Sequence, residues 1–353
     1  MIGSRALFAS GGLAVAMLAA LLFVPASSMY YRATAGEGCT NCHEMRPNWE
    51  TWKQSTHRSV SCLACHANDE LANARRAERH VRGNVPEQIR VRGLDVVRLM
   101  QRCKTCHRQE FADWQAGPHG SAFAKVFLDS KHNSQRLLMD DCLRCHGSYY
   151  EGGIRSLVRP VDTKGPWTFA DARWADAPVA PCYACHQIHR RGEPLKADRA
   201  PRPHPAAAQE IQRPSLAHFD RRELAHVALA DLPLPAVQDH GRPVKMSPDQ
   251  RQALCYQCHA PLNTGEVRSG DDRTPLGVHE GISCMACHSQ HGEATRASCA
   301  TCHPKMSNCG LDVERMDTSF ASAATRHDIH FVKCGDCHEH GVPQRRATVT
   351  SGE

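Results

Sequence analysis

The pentapeptide Cys-x-x-Cys-His occurs nine times in 353 residues: CTNCH from Cys39, CLACH from Cys62, CKTCH from Cys103, CLRCH from Cys142, CYACH from Cys182, CYQCH from Cys255, CMACH from Cys284, CATCH from Cys299 and CGDCH from Cys334. Eighteen of the nineteen cysteines lie in these units, and only Cys309 stands outside them. Cys-x-x-Cys serves zinc knuckles, disulfides and thioether attachment of haem, but these make different demands on the next residue. A zinc knuckle needs its other ligands only within loop reach. Thioether bonds to both vinyl groups of one porphyrin bring the imidazole of the very next residue to the iron. With 23 histidines in the chain, finding His after all nine pairs by chance has a probability of about 10⁻¹¹.

The sequence therefore reads as a c-type cytochrome with nine covalently attached haems. Cys39, Cys42, Cys62, Cys65, Cys103, Cys106, Cys142, Cys145, Cys182, Cys185, Cys255, Cys258, Cys284, Cys287, Cys299, Cys302, Cys334 and Cys337 hold the porphyrins. His43, His66, His107, His146, His186, His259, His288, His303 and His338 are the proximal iron ligands. Fourteen other histidines remain, and low-spin electron-transfer haems need a second axial ligand, commonly a neutral His nitrogen or a Met sulfur. His57 and His279 each precede a motif by five residues, and His119 and His132 flank GSAFAKVFLDSK. His327 and His330 share a helical face before Cys334, while His189, His291 and His340 follow motif histidines closely. These nine are the expected distal ligands. His80, in a basic stretch, and His204, in a proline-rich one, are expected to face solvent.

Aromatic residues are only 6% of the chain and its mean hydropathy is negative, so a core built from side chains alone looks thin. Porphyrins supply the missing apolar surface. At roughly 35 residues per haem the expected fold class is mainly α with low secondary-structure content, short helices and loops wrapped round haems. The formal charge of +6 does not indicate nucleic acid. Nine haems, each with an iron-porphyrin core of about +1 and propionates of about −2, bring the holoprotein near −3. The basic run 74–93 then reads as a solvated or propionate-facing surface. Cys309 reads as a small buried hydrophobe.

Residues 6–26, ALFASGGLAVAMLAALLFVPA, are nearly uncharged and long enough to cross a bilayer, and Arg5 before them orients the N-terminus to the cytoplasm. Ala33-Thr34-Ala35 offers a signal-cleavage pattern but lies nine residues past the apolar run, which favours a retained anchor. Everything beyond it is expected in the periplasm. Motif starts are fairly evenly spaced except between Cys182 and Cys255, where prolines cluster at 193–214 and 231–243. The expected organisation is anchor and spacer over 1–35, a five-haem domain over 36–192, a Pro-rich linker with a helix near 215–230 over 193–248, and a four-haem domain over 249–353.

The anchor, a short spacer and CTNCHEMRPNWETWKQSTHRSVSCLACH (39–66) resemble the start of the membrane-anchored NapC/NirT family, quinol-oxidising cytochromes that pass electrons to periplasmic reductases. The resemblance covers about the first seventy residues and rests on the anchor, the Cys-x-x-Cys-His-x-Met form of motif one and the Trp-x-x-x-x-His run ending at His57. It implies that Met45 is an axial ligand of haem one beside a quinol site. Ala67 and Asn68 stand where the family carries x-Pro after motif two. The second half, with Cys-x-x-Cys-His-x-x-His units, is similar in style to multihaem electron conduits. The leading reading is a membrane-anchored conduit from quinol to a periplasmic redox protein or reductase, with no nucleic-acid partner. The alternative is a multihaem reductase of nitrite, hydroxylamine or a sulfur oxyanion, with Tyr149, Tyr150 or Tyr256 as proton donors. Iron analysis of the purified protein after acid-acetone extraction should give nine irons per chain, all retained on the polypeptide; extractable haem, or a count well short of nine, contradicts the motif reading.

Overall fold

The computed structural model describes residues 4–66, 70–85, 91, 93–186, 232, 234–261, 267, 272–289, 291, 329–337 and 340. Motif eight (Cys299, Cys302, His303), His189, His204, His327, His338, Cys309 and the expected helix at 215–230 lie outside the described residues, as does the side chain of Cys337. The chain is mostly helical. Among the described residues the strands are two short antiparallel pairs, β1 (Val158–Arg159) with β2 (Thr168–Phe169) and β3 (Gln238–Asp239) with β4 (Arg242–Pro243).

Helix α1 (Ser4–Ala33) has 30 residues, so at about 1.5 Å per residue it spans about 45 Å, more than the ~30 Å hydrocarbon layer. Gly11–Ala33 is long and apolar enough to cross a membrane. Leu13, Val15, Leu18, Leu21 and Phe23 point away from the protein uncovered, as lipid-facing residues do. The helix continues past the expected anchor through the expected spacer, because SSMYYRA contains neither Gly nor Pro to stop it.

Its end is closed by a Schellman turn, with Gly36 N–H donating to Tyr31 O (2.8 Å) and Ala35 N–H to Arg32 O (3.1 Å). Ala35 takes the left-handed conformation there (φ 52°), and Gly36 follows at φ 89°. The turn folds directly onto motif two. Ser61 Oγ donates to Ala35 O (2.8 Å), and a Cβ on Gly36 would sit 2.7 Å from Cys62 Cβ. The candidate cleavage stretch is thus folded structure rather than an extended linker.

Two compact units result, residues 1–108 with 186–191, and residues 109–185 with 192–353. The first holds α1, 3-10 turns at Glu37–Asn41 and His43–Met45, α2 (Arg46–Lys53), α3 (Cys62–Cys65), α4 (Glu70–Val81) and α5 (Leu94–Cys103), with α4 lying against α1. Val96 and Met100 of α5 are its buried hydrophobics among the described residues, a core far too small to hold the unit together.

The second unit has a real side-chain core. It contains most of α6 (Arg108–Ala116), then α7 (Phe123–Phe127), α8 (Ser130–Asn133), α9 (Cys142–Cys145), α10 (Ile154–Leu157), α11 (Gln252–His259), α12 (Cys284–Cys287) and α13 (Cys334–Cys337). Phe111, Trp114, Phe123, Phe127, Tyr149, Tyr150 and Trp174 are buried together, with Phe123 stacked on Trp174 at 5.5 Å. The thin-core expectation fails here because the chain's few aromatic residues are concentrated in this stretch. The stretch from the 3-10 turn Pro118–Gly120 to the start of α7 pairs with 177–180 through Phe123 N–H to Ala177 O (2.8 Å), Val179 N–H to Ser121 O (2.9 Å) and Ala180 N–H to His119 O (3.0 Å). A smaller cluster of Val237, Val244, Val267 and Leu276 packs with Phe331, while Leu276 and Val278 donate to His330 O and Val332 O.

Replacing Gly36 by Ala forces a side chain into a left-handed conformation and onto Cys62, and should destabilise by about 1–2 kcal/mol. The thermal midpoint of the holoprotein should fall, whereas Gly11→Ala, in open surroundings on the anchor, should not move it. Equal midpoints for the two variants would refute this packing.

Candidate haem attachment sites and histidine pairs

Motifs two, four and seven are each built as one turn of helix that stops at its histidine. In motifs two, three, four and seven the His N–H donates to the first Cys carbonyl, at 2.8 Å (His66, His107) and 2.9 Å (His146, His288). Cysteines three apart then share one helix face. The histidine leaves the helix in extended conformation, at ψ 115° for His66, 99° for His146 and 137° for His288, which swings the imidazole clear of its own turn. Ser61 and Ser283 cap two of these turns, accepting from Leu63 N–H and Met285 N–H. The fifteen cysteines whose side chains are described form no disulfide and none is fully buried, unusual for so hydrophobic a residue unless something else covers it.

The motif histidines pair with distant ones. An imidazole nitrogen lies about 1.1 Å from its ring centroid and binds a first-row metal at about 2.0 Å, so rings on opposite sides of one iron have centroids about 6.2 Å apart. A direct N–H···N bond of about 2.9 Å would bring them to about 5.1 Å. His57 and His107 stand at 6.0 Å, His119 and His259 at 6.1 Å, and His288 and His330 at 6.0 Å. All three pairs leave a gap that suits an iron. Their ring planes differ, at 72°, 51° and 11° respectively.

His119 and His288 keep surface open to solvent but stand in protein surroundings that partly desolvate them. Desolvation pushes both imidazoles below their ordinary range, with His330 adding to the effect on His288. They are therefore neutral at pH 7, the form that binds a metal. The donor set, the free cysteines and the gap widths together fit covalently bound haem.

Motif one differs. His43 and His80 are 5.6 Å apart, and Glu44 Oε1 lies 3.0 Å from His43 Nε2 and 3.1 Å from His80 Nδ1. Cys42, Glu44 and His80 present ligand atoms within 4.8 Å of one another. His80, expected in solvent, is instead drawn to motif one by α4. The signal was its place at the end of an amphipathic helix whose other face lies on α1. Met45 ends the 3-10 turn after His43 and is half-buried.

His132 is exposed with Nδ1 3.2 Å from Asn133 Oδ1, His279 Nδ1 lies 3.1 Å from Ile329 O, His291 is half-buried and His340 is exposed. Tyr149 donates to Pro178 O (2.7 Å) and Tyr150 meets Ser156 Oγ (2.9 Å). Burial raises the Tyr149 and Tyr256 phenols well above their ordinary range, so both stay protonated structural groups.

Some attachment cysteines are near enough to feel one another's charge. As free thiols, Cys39 and Cys65 are raised first by burial and then by neighbours, Cys62 for the former, Cys103 and Cys106 for the latter. In the second unit α11 packs against both α9 and α12.

This is a multihaem c-type cytochrome, mainly helical, with haem c bound covalently through Cys-x-x-Cys-His motifs. Residues 4–96 match the family model for the N-terminal region of the NapC/NirT cytochrome c family. Residues 102–160 and 226–289 match the model for cytochrome c554 and c-prime. The chain is 27% identical over 149 residues to the cytochrome c-type protein NrfH of Wolinella succinogenes, spanning 39% of this chain and 80% of that protein. No solved structure matches. The NapC/NirT resemblance read from motif one is thus shown, and the second similarity begins at motif three.

Replacing His57 by Ala should open one iron. Dithionite-reduced holoprotein should gain about one equivalent of carbon monoxide binding over the unaltered protein, with the gain read from its visible spectrum. No gain would separate His57 from His107.

Proposed function

We propose that the chain is a membrane-anchored, nine-haem electron conduit, taking electrons from quinol and delivering them to a periplasmic acceptor or reductase. The observation that carries this reading is the set of three histidine pairs at iron width, because an iron held between two imidazoles has no position left for a substrate. Bound haem supplies a one-electron iron couple at each attachment site. The protein's part is to fix the positions of those sites and to tune them through ligand choice and burial.

The anchor reading is supported by the uncovered apolar length of α1 and by the folded turn at Ala35–Gly36, which ties α1 to motif two. On this reading Arg5 keeps the N-terminus in the cytoplasm and the attachment sites lie in the periplasm. Motif one, next in sequence to the anchor, is the entry site, with Met45 as an iron ligand there. Quinol oxidation releases two protons with its two electrons. His66, His146, His186, His303 and His338 complete the proximal set, with distal ligands from among His132, His189, His279, His291, His327 and His340.

The test is reduction of the oxidised holoprotein by a menaquinol analogue in lipid vesicles. Haem absorbance should move to the reduced form, and Met45→Ala should slow it by about tenfold or more without lowering the iron count. A chain that is reduced by dithionite but not by quinol is not a quinol-fed conduit.

A further inference from the structure

We propose that Asp249, just ahead of helix α11, is a positioning residue for attachment site seven (Cys284, Cys287, His288): it holds the Ser283 hydroxyl in the orientation that caps α12, and through that turn sets the plane of the His288 imidazole. This rests on the reading of motif seven as a haem site. It goes beyond that reading by naming a residue outside every motif that fixes the geometry of one of them.

The contacts run from the entry of α11 to the entry of α12. Ser283 Oγ donates to Asp249 Oδ2 (2.7 Å), across 34 residues of chain. The same oxygen accepts from Met285 N–H (3.2 Å), which closes the N-terminus of α12. A hydroxyl has one proton, and here it is committed to Asp249, so the lone pairs turn toward the helix. Asp249 is itself held. Arg251 grips it with Nε on Oδ1 (2.9 Å) and Nη2 on Oδ2 (2.8 Å), and Ser247 Oγ accepts from the Asp249 N–H (3.2 Å). Arg251 first and Ser283 second keep the Asp249 carboxyl below its ordinary range, so it is ionised and only accepts. Beside it the buried Gln252 donates from Nε2 to Ser247 O (2.7 Å), which aims Oε1 at Cys284 Sγ, 3.6 Å away. A thioether sulfur has no proton to give, so with haem attached this is a packing contact. Motif seven is thus gripped at two successive residues, Ser283 and Cys284, by the entry to the helix that carries motif six and packs against α12.

Two other places in the chain show what Asp249 adds. Asp171 and Arg173 repeat the Asp-x-Arg arrangement, with Arg173 Nε and Nη2 on the carboxylate at 3.0 and 2.7 Å, and that pair caps its own 3-10 turn at Ala172–Trp174. Such a clamp therefore forms locally and needs no haem site. Asp249 makes the same clamp with Arg251 and in addition reaches Ser283. Ser61, the cap of motif two, also works in both directions, accepting from Leu63 N–H (3.2 Å) and donating to Ala35 O (2.8 Å). At both motifs the capping serine ties the turn to a remote element. At motif seven the acceptor is a carboxylate, which makes the stronger bond.

The cap matters because the turn ends at His288. Helix α12 has four residues, and His288 follows it in extended conformation with its N–H on Cys284 O (2.9 Å). One turn of helix has little stability of its own, so what grips its first residues decides its orientation. The His288 and His330 rings stand 11° from parallel. A tilt of α12 changes that angle.

The experiment compares low-temperature EPR of four fully oxidised holoproteins: unaltered, Asp249→Ala, Asp249→Asn and Asp171→Ala. Near-parallel imidazoles give a rhombic low-spin signal. In Asp249→Ala the g values of that signal should shift or spread, while the signal of the near-perpendicular pair His57–His107 stays in place. Asp249→Asn keeps an oxygen for Ser283 and should restore the unaltered g values. Asp171→Ala, which removes the matching clamp from the same unit, should leave both signals unchanged. A rhombic signal that is identical in Asp249→Ala and the unaltered protein overturns the proposal. So does an Asn variant as disturbed as the Ala one, since the charge and not the hydrogen bond would then be the cause. If Asp249→Ala does not take up its full complement of iron, Ser283→Ala, which removes only the hydroxyl, takes its place with the same expected and contrary results. A false haem reading of motif seven would appear differently, as an unaltered protein without the rhombic signal.

Discussion

The proposed conduit depends on histidine rings from remote parts of the chain standing at a spacing that suits one iron. His57 with His107, His119 with His259 and His288 with His330 each join segments far apart in sequence. A bond that closes a long loop removes much of the unfolded chain's freedom, as a disulfide does, and a metal site forms only when its ligands are already brought together. On the proposed reading, thioether bonds would fix each haem to one segment, and the distal histidine would fix the second segment to the same haem.

The two units rely on this bond to different degrees. In the first, Val96 and Met100 are a negligible core, and the anchor helix, the Schellman turn and motif two are held by close backbone approach at Gly36. The second has its aromatic cluster round Phe123 and Trp174, which positions His119 through backbone pairing with 177–180. His119 is therefore placed by ordinary protein packing before any metal is considered. Its partner His259 sits at the end of α11, the helix that packs against α9 and α12.

Much of the site was legible because the chemistry is local. Cys-x-x-Cys-His is a local pattern, so the sequence alone picks out the candidate attachment points, and His57, His119 and His330 stand out by proximity to a motif or a helix. What could not be read is which histidine meets which. His119 precedes motif four but faces motif six, because the pairing depends on how α7, α9 and α11 pack and not on sequence distance. His80 was misjudged for a related reason: its basic neighbours suggest solvent, while the packing of α4 on α1 carries it to Glu44 and His43. The thin-core expectation followed overall composition, which hides the concentration of aromatic residues between 111 and 174. The first helix runs past the apolar stretch because hydropathy ends at Ala26 but helix propensity continues to Ala33.

The most direct test of the account is low-temperature EPR of the fully oxidised holoprotein. Near-parallel imidazole planes give rhombic low-spin signals, and near-perpendicular planes give signals with a single large g value. The pair at 11° and the pair at 72° therefore predict both kinds in one spectrum. A spectrum dominated by high-spin iron, or one lacking either low-spin kind, would contradict the claim that these histidine pairs hold the haems.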